Sequence, residues 1–506
     1  MCHKMPKRNL EFSKRRVISV YMRRVKIICT LGPATESEQV LNALVAGGMD
    51  IARLNFSHGT HELHQKTFEQ LRKIAKSHGR HVGILADISG PKLRVGVLEN
   101  PIELSVGDVV ELREVDDAPA SDRSIPISAL GTLSQLEVGE TVSFADGAIV
   151  MTVVSVSGQR VQASVEVGGT LGSRKGVNFP QAQIRLPSLT EKDIEDIKFC
   201  VNLGVDFFAI SFVRRVEDVL LAREVISKFS PSHAHRIISK IERPEALDDI
   251  EAIVRASDGI MVARGDLGVE IPPEQVPIEQ KRIIHLCNTI GRPVVTATQM
   301  LESMIISTMP TRAEAADVAN AIFDGTDAVM LSAETASGAH PIEAFTYMAR
   351  ISARAEEELQ NQALTLLNRP EPSRETIADG IGYCAEQLTR YLPIKAIVAV
   401  TESGHSARVI SKFRPSVPVI GATISESAAR SLSLSFGVMP LVVGESSVDT
   451  EKVILSALAQ AKDTGLLADG DLCVVVAGIP FGQRGTTNLV KVQRVGDGFL
   501  VNHDSQ

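Results

Sequence analysis

The chain has 506 residues, of which 44% are hydrophobic and 23% charged, and a formal net charge of −8. That length exceeds what a single core usually holds, so several domains are expected. The negative balance argues against bulk nucleic-acid binding, and no apolar run is long enough to cross a bilayer.

Charge is unevenly spread. The first 24 residues carry eight Lys or Arg and one Glu. Residues 1–21 read as a basic tail: disordered, a transit peptide, or not native if the natural start is Met22. Strand-like runs then alternate with amphipathic helices. The runs are "VKIICT" (25–30), "MDIARL" (49–54), "HVGILA" (81–86), "VDFFAIS" (205–211), "RIISKI" (236–241), "DGIMVA" (258–263), "RPVVTA" (292–297) and "DAVMLS" (327–332). Eight strand–helix units predict a closed parallel (β/α)8 barrel, formed by 22–90 and 187–355, with its working face at the carboxyl ends of the strands. Polar residues gather at those ends.

Residues 91–186 interrupt the alternation. They are rich in Val, Gly and Asp with short alternating runs, which predicts a small inserted β-barrel domain acting as a lid. After 355 a helix and four further runs, "IKAIVAV", "VPVIGAT", "VMPLVV" and "DLCVVVAG", predict a doubly wound α/β domain over 356–506. The six cysteines are scattered without a CxxC pair; most lie in apolar or helical stretches, which reads as reduced, buried thiols of a cytosolic protein.

The chemistry concentrates in a few stretches. "IISKIER" sets Lys240 and Glu242 two apart on one strand, so both side chains face the same space. "MVARGDLGVEI" adds Asp266 just past the next strand, with Gly265 and Gly268 allowing close backbone approach. A short helix opening there would direct free N–H groups at an anion. Two carboxylates beside a lysine at a barrel mouth suit Mg²⁺ and a phosphorylated substrate, because that ion takes one or two carboxylates plus substrate oxygens.

Together "SKIER", "ARGDLGVEI", "ATQMLESM", "MPTRAE" and "LSAETASG" occur in the order found in pyruvate kinases, and the chain resembles that family from "KIICTLGPA" to "GTTNLVKV". The resemblance implies a glycolytic, cytoplasmic, Mg²⁺-dependent enzyme (with Mn²⁺ as a substitute) that moves a phosphoryl group from phosphoenolpyruvate to ADP, giving pyruvate and ATP. It implies a homotetramer. It assigns Glu242 and Asp266 to the metal, Lys240 and Arg53 to the transferring phosphoryl group, and the N–H groups of Gly265 and Asp266 to the substrate carboxylate. Thr298 falls near the enolate carbon that is protonated. His58, Arg94 and Lys192 fall at the nucleotide.

"ADISGPKLRVG" departs from the pattern "DTKGPEIRTG" of the potassium-requiring members. There the ion is held by groups matching Asn55, Ser57 and Asp87. Here Lys92 replaces a glutamate, as in the branch that needs no potassium. An ammonium on a flexible stem can supply the missing positive charge. In the carboxyl-terminal domain, "AIVAVTESGHSARVISKF" reads as strand, polar loop and helix. Thr401, Ser403, Gly404 and Ser406 form a phosphate cradle there, and Arg484 in "FGQRGTTN" is a further contact. The resemblance implies a phosphorylated sugar or nucleotide effector. Glu402 would repel a second phosphate, which favours a monophosphate. Two other readings remain open at this stage: a metal-dependent lyase or aldolase on a pyruvate enolate, and a catalytically dead effector-binding protein.

Overall fold

A computed structural model describes residues 23–115, 123–128, 131–145, 147–180, 187–230, 235–361, 376–444, 450–479 and 486–497. The basic tail and Arg484 lie outside them.

All eight expected barrel strands form: β1 (Lys26–Thr30), β2 (Ile51–Asn55), β3 (Gly83–Ile88), β4 (Phe207–Ile210), β5 (Arg236–Ile241), β6 (Gly259–Ala263), β7 (Val294–Ala297) and β8 (Ala328–Leu331). They close in the order β1-β8-β7-β6-β5-β4-β3-β2, and every pair is parallel. The reason is legible locally. The strands are short, apolar and buried at nearly every position, as a sheet covered on both faces requires. The helices between them carry their own start signals. Thr60 caps His61–Ser77, and capping boxes pair Thr190 with Asp193 and Thr311 with Glu314.

Inside the barrel the strands pack Ile28, Ile51, Leu85, Phe207, Ile238, Met261, Val295 and Met330 around Leu434 of the last domain. Leu434 plugs the amino-terminal end. This contact requires glycine at position 83, where a Cβ would lie 2.4 Å from the Ser433 hydroxyl.

The insertion builds a seven-stranded sheet around its own core of Leu112, Ile125, Phe144, Met151 and Val161. Its edges meet. Val95 N–H donates to Lys175 C=O (2.9 Å) and Val177 N–H to Leu93 C=O (3.0 Å), so the sheet curls into a small barrel.

The carboxyl-terminal sheet contains β9 (Ile394–Val400), β10 (Val419–Thr423), β11 (Val438–Val442), β12 (Leu472–Gly478) and β13 (Thr487–Arg494), in the order β11-β10-β9-β12-β13. Separate apolar clusters cover its two faces. Four strands are parallel, while β13 runs antiparallel to β12 and was not expected from the sequence. One thiol also departs from expectation: Cys384 is exposed, because it sits on the outer side of the helix Ile377–Tyr391.

Candidate active site

Lys240 lies near the carboxyl end of β5 and Glu242 just past it. The Lys240 ammonium lies 2.8 Å from Glu242 Oε1, 3.3 Å from Asp87 Oδ1 and 2.9 Å from the Ser211 hydroxyl. On the opposite side of Asp87, Arg53 Nε donates to Oδ2 at 2.6 Å and Arg53 Nη1 to the Thr30 hydroxyl at 3.0 Å. Strand register explains the cluster: Arg53, Asp87, Ser211 and Lys240 come from or just after β2, β3, β4 and β5, whose carboxyl ends are neighbours.

Charges so buried need this matching. Burial alone would push the Lys240 ammonium down, but Asp87, Glu242 and Asp266 outweigh it and hold its pKa above that of an ordinary lysine. Burial likewise pushes the Asp87 carboxyl up, and Lys240 and Arg53 bring it below the usual carboxylate range. Glu242 remains raised, chiefly by burial, with Lys240 opposing and Asp266 adding to the effect. One of its oxygens accepts the Phe212 N–H at 2.8 Å, whereas the other, Oε1, is held only by the Lys240 ammonium. Phe212 reaches this position with φ 56°, a conformation that side chains rarely adopt.

Asp266 lies in the first turn of α1 (Arg264–Glu270), which follows β6 directly. Lys92 reaches it from the start of the insertion, with 3.3 Å between Nζ and Oδ1. Burial raises the Asp266 carboxyl, but Lys92 and Lys240 carry it below its ordinary value. Lys92 is thus brought to the acid after β6, rather than to Asn55, Ser57 and Asp87. Those three are engaged elsewhere. Asn55 Oδ1 accepts the Ser57 N–H (3.1 Å), the Ser57 hydroxyl donates to Ser89 (3.1 Å), and Asp87 holds Arg53 and Lys240.

Thr298 also departs from ordinary backbone, with φ 65°, and Gln299 follows at 53°. Arg264 holds this turn: its guanidinium donates to the carbonyls of Ala297 (3.3 Å), Thr298 (2.7 Å) and Gln299 (3.2 Å) and pairs with Asp317 at 2.8 Å. The Thr298 hydroxyl accepts the Gly265 N–H at 2.7 Å. The short helix expected at "ARGDLG" is therefore present, but one of the two N–H groups assigned to an anion is bonded to threonine.

His58 stands by Arg94, Arg53 and Lys92. Burial, reinforced by those cations, lowers its pKa and favours the neutral ring. Lys192 is drawn to the Phe56 carbonyl (3.0 Å) and to Asp196 (2.6 Å). The side chains of this cluster that the sequence left unassigned are Ser211 and Arg264. A serine closing a barrel strand was the only signal for the first, and the second was hidden in a motif read for its aspartate.

Among the described residues no three His, Cys, Asp or Glu side chains converge as a ready-made metal cage. Two carboxylates, with Glu242 Oε1 held only by the Lys240 ammonium, suit an ion that completes its shell from substrate oxygens.

The polar loop after β9 lies where the strand order turns back, between β9 and β12, which is where open α/β sheets bind ligands. Gly404, at φ 81°, caps α2 (His405–Lys412). Ser406 Oγ lies 2.7 Å from Thr487 Oγ1, tying this loop to the end of "FGQRGTTN". Thr401 is buried, and the Ser403 carbonyl accepts from Arg236 (3.2 Å) and Arg408 (3.1 Å).

Comparison with known proteins places this geometry. Residues 22–345 match the family pattern "Pyruvate kinase, barrel domain", and 379–493 match "Pyruvate kinase, alpha/beta domain". A pyruvate kinase of Bacillus licheniformis is 45% identical over 481 residues, covering 94% of this chain and 81% of that protein. One from Staphylococcus aureus is 44% identical with the same coverage. The crystal structure of a pyruvate kinase from Cryptosporidium parvum superposes with a TM-score of 0.86 at 39% identity, covering 98% of this chain and all of that one.

Proposed function

The chain belongs to the pyruvate kinase family and is an enzyme of that kind, acting on phosphoenolpyruvate and ADP. From that premise we propose that phosphoryl transfer runs on Lys240 and Arg53, with Mg²⁺ (or Mn²⁺) held by Glu242 and Asp266 and without a requirement for potassium.

The observation that carries this reading is the buried ion network of Arg53, Asp87, Lys240 and Glu242 at the barrel mouth. Phosphoryl transfer is mostly positioning and charge neutralisation, and a lysine kept charged while buried is the group such a step uses. Lys240 and Arg53 place positive charge on the transferring oxygens. The divalent ion, when bound, neutralises the enolate oxygen and the phosphoryl group. Asp266 offers its backbone N–H to the carboxylate, and Gly265 does so by exchanging its bond to the Thr298 hydroxyl. Arg264 fixes the left-handed turn that aims Thr298 at the carbon to be protonated. His58, Arg94 and Lys192 line the approach of the nucleotide.

Independence from potassium is supported by the engagement of Asn55, Ser57 and Asp87 with protein groups and by the ammonium of Lys92 at the same mouth. A monophosphate effector at Thr401, Ser403, Gly404 and Ser406, with Arg484, is supported by the position of that loop at the sheet's turning point. Glu402 beside it, with one buried oxygen unpartnered, disfavours a second phosphate. A homotetramer is supported by apolar side chains left exposed beside the helix Arg312–Asp324, where Ile306 is 83% and Met309 60% exposed. The domain limits proposed are 22–90 with 187–355, 91–186, and 356–506. A cytoplasmic location is proposed with them; no described helix is long and apolar enough to cross a membrane.

The test is a coupled assay of pyruvate release from phosphoenolpyruvate, Mg²⁺ and ADP, in sodium against potassium salts. ADP-dependent release at equal rates in both is expected. Release without ADP would favour enolate lyase chemistry, and a potassium requirement would remove the role given to Lys92.

A further inference from the structure

The opposite end of the barrel holds a second concentration of charge that the reaction does not use. A narrow crevice, partly open to solvent, runs along the seam between the barrel and the last domain. Its lining includes Arg292, just before β7, and Arg408, Lys412 and Arg414 on and after α2. Asp327 is the one acid among the lining residues, and it is already engaged by Arg414 at 3.1 Å and by the Val294 N–H at 2.8 Å. Lys412 is likewise paired, with Asp379 at 2.7 Å.

The other cations are not so matched. No carboxylate among the described residues lies within 4.0 Å of Arg292 or Arg408. Arg292 Nη2 donates to the Arg255 carbonyl and Arg408 Nη2 to the Ser403 carbonyl. Arg292 Nε, Arg408 Nη1, Arg414 Nη1 and Ser435 Oγ are all buried, all without a hydrogen-bond partner, and all belong to residues lining this one crevice. Burial, with Arg236 and Arg292 nearby, disfavours the charge on Arg408, and the more distant Asp258 carboxylate offsets only part of this. A guanidinium does not give up its proton in a protein, so that cost remains until an anion relieves it.

We propose that this crevice binds a dianionic oxyanion group, as carried by inorganic phosphate or a small phosphorylated metabolite, bridging Arg292 on the barrel to Arg408 and Arg414 on the last domain. Three guanidinium donors and a hydroxyl match the several acceptor oxygens of such a group, and planar arginine forks suit its geometry. The site is separate from the loop over Thr401–Ser406, although Arg408 touches both by holding the Ser403 carbonyl. An anion here would tie β7, which leads into Thr298, to the helix that begins at the loop.

The test is the melting temperature of the full-length protein, titrated with inorganic phosphate and, in parallel, with glycerol phosphate. Wild type should gain about 3 °C at a hundred-fold excess over the dissociation constant. The gain should persist in Lys240→Met and Ser403→Ala, which address the other two anion sites. It should be lost in Arg408→Met and in Arg292→Gln, the latter serving if the former does not fold. Equal gains with the two ligands assign the site to the oxyanion alone, and a larger one with the ester assigns it to a phosphorylated metabolite. No gain in wild type, a gain lost in Lys240→Met or Ser403→Ala, or one retained in the folded arginine variants overturns the proposal.

Discussion

The two ends of the barrel treat buried charge in opposite ways. At the carboxyl end each cation of the cluster has its anion: buried Lys240 has Glu242 and Asp87, Arg53 has Asp87, and the partly exposed Lys92 has Asp266. At the amino end, arginines outnumber acids, and several donors have nothing to bond. A matched cluster can exchange partners as substrate and metal arrive without exposing a bare charge. An unmatched one is a cost until something negative joins it. The mouth is thus arranged for turnover and the seam for occupancy.

The sharpest way to break this contrast is at the mouth. Lys240→Met should cut phosphoryl transfer about a thousand-fold or more, measured by the coupled assay. Proton exchange at the methyl group of pyruvate, followed with phosphate present, should survive in part. Loss of both in a folded variant would contradict the separate role given to Lys240. Asp266→Asn should weaken metal binding by about a hundred-fold, read from the Mg²⁺ dependence of turnover. An unchanged dependence removes Asp266 from the metal site.

Lys92 probes the same cluster from the insertion. Lys92→Glu should lose activity in sodium and regain it in potassium, while Lys92→Met should lose about a hundred-fold in both, a loss of about 2.7 kcal/mol. Full activity of Lys92→Glu in sodium would reduce the lysine to a hinge residue.

The seam should respond differently within itself. Arg414→Met strands Asp327 and should cost about 3 kcal/mol in urea denaturation, since one partner of a buried pair is removed. Arg408→Met strands no carboxylate and should change stability by about 1 kcal/mol or less in phosphate-free buffer. Equal losses would mean that Arg408 is structurally matched after all.

The smallest effect concerns acid. Burial pushes the Asp258 carboxyl up, but Arg236 and Arg223 overcome it and hold the pKa below the ordinary value. Its stabilisation is therefore present above the usual carboxylate pKa and is lost as pH falls through the lowered one. Asp258→Asn should flatten that acid limb of the stability profile. An unaltered limb would show that Asp258 is not a source of it.

Much of this was legible in the sequence because it depends on short-range periodicity. Alternation of apolar runs with amphipathic helices dictates a parallel barrel. Lys240 and Glu242, two apart on a strand, must share a face, and Asp266 must follow the next strand closely. The strand β13 escaped because its alternating half-exposed pattern is weaker than that of the buried strands and begins within a stretch read as a loop. What only the tertiary structure decided is which distant groups meet. Ser211 joins Lys240 because β4 and β5 are neighbours, and Lys92 meets Asp266 because the insertion folds back over α1. Arg264 grips Thr298 across two strands, and Arg292 joins Arg408 and Arg414 because Leu434 seats one domain on the other. Each contact links chain positions between 29 and 174 residues apart or spans two domains, and its energy depends on burial and on the full set of neighbouring charges. No local pattern encodes that set; the fold assembles it.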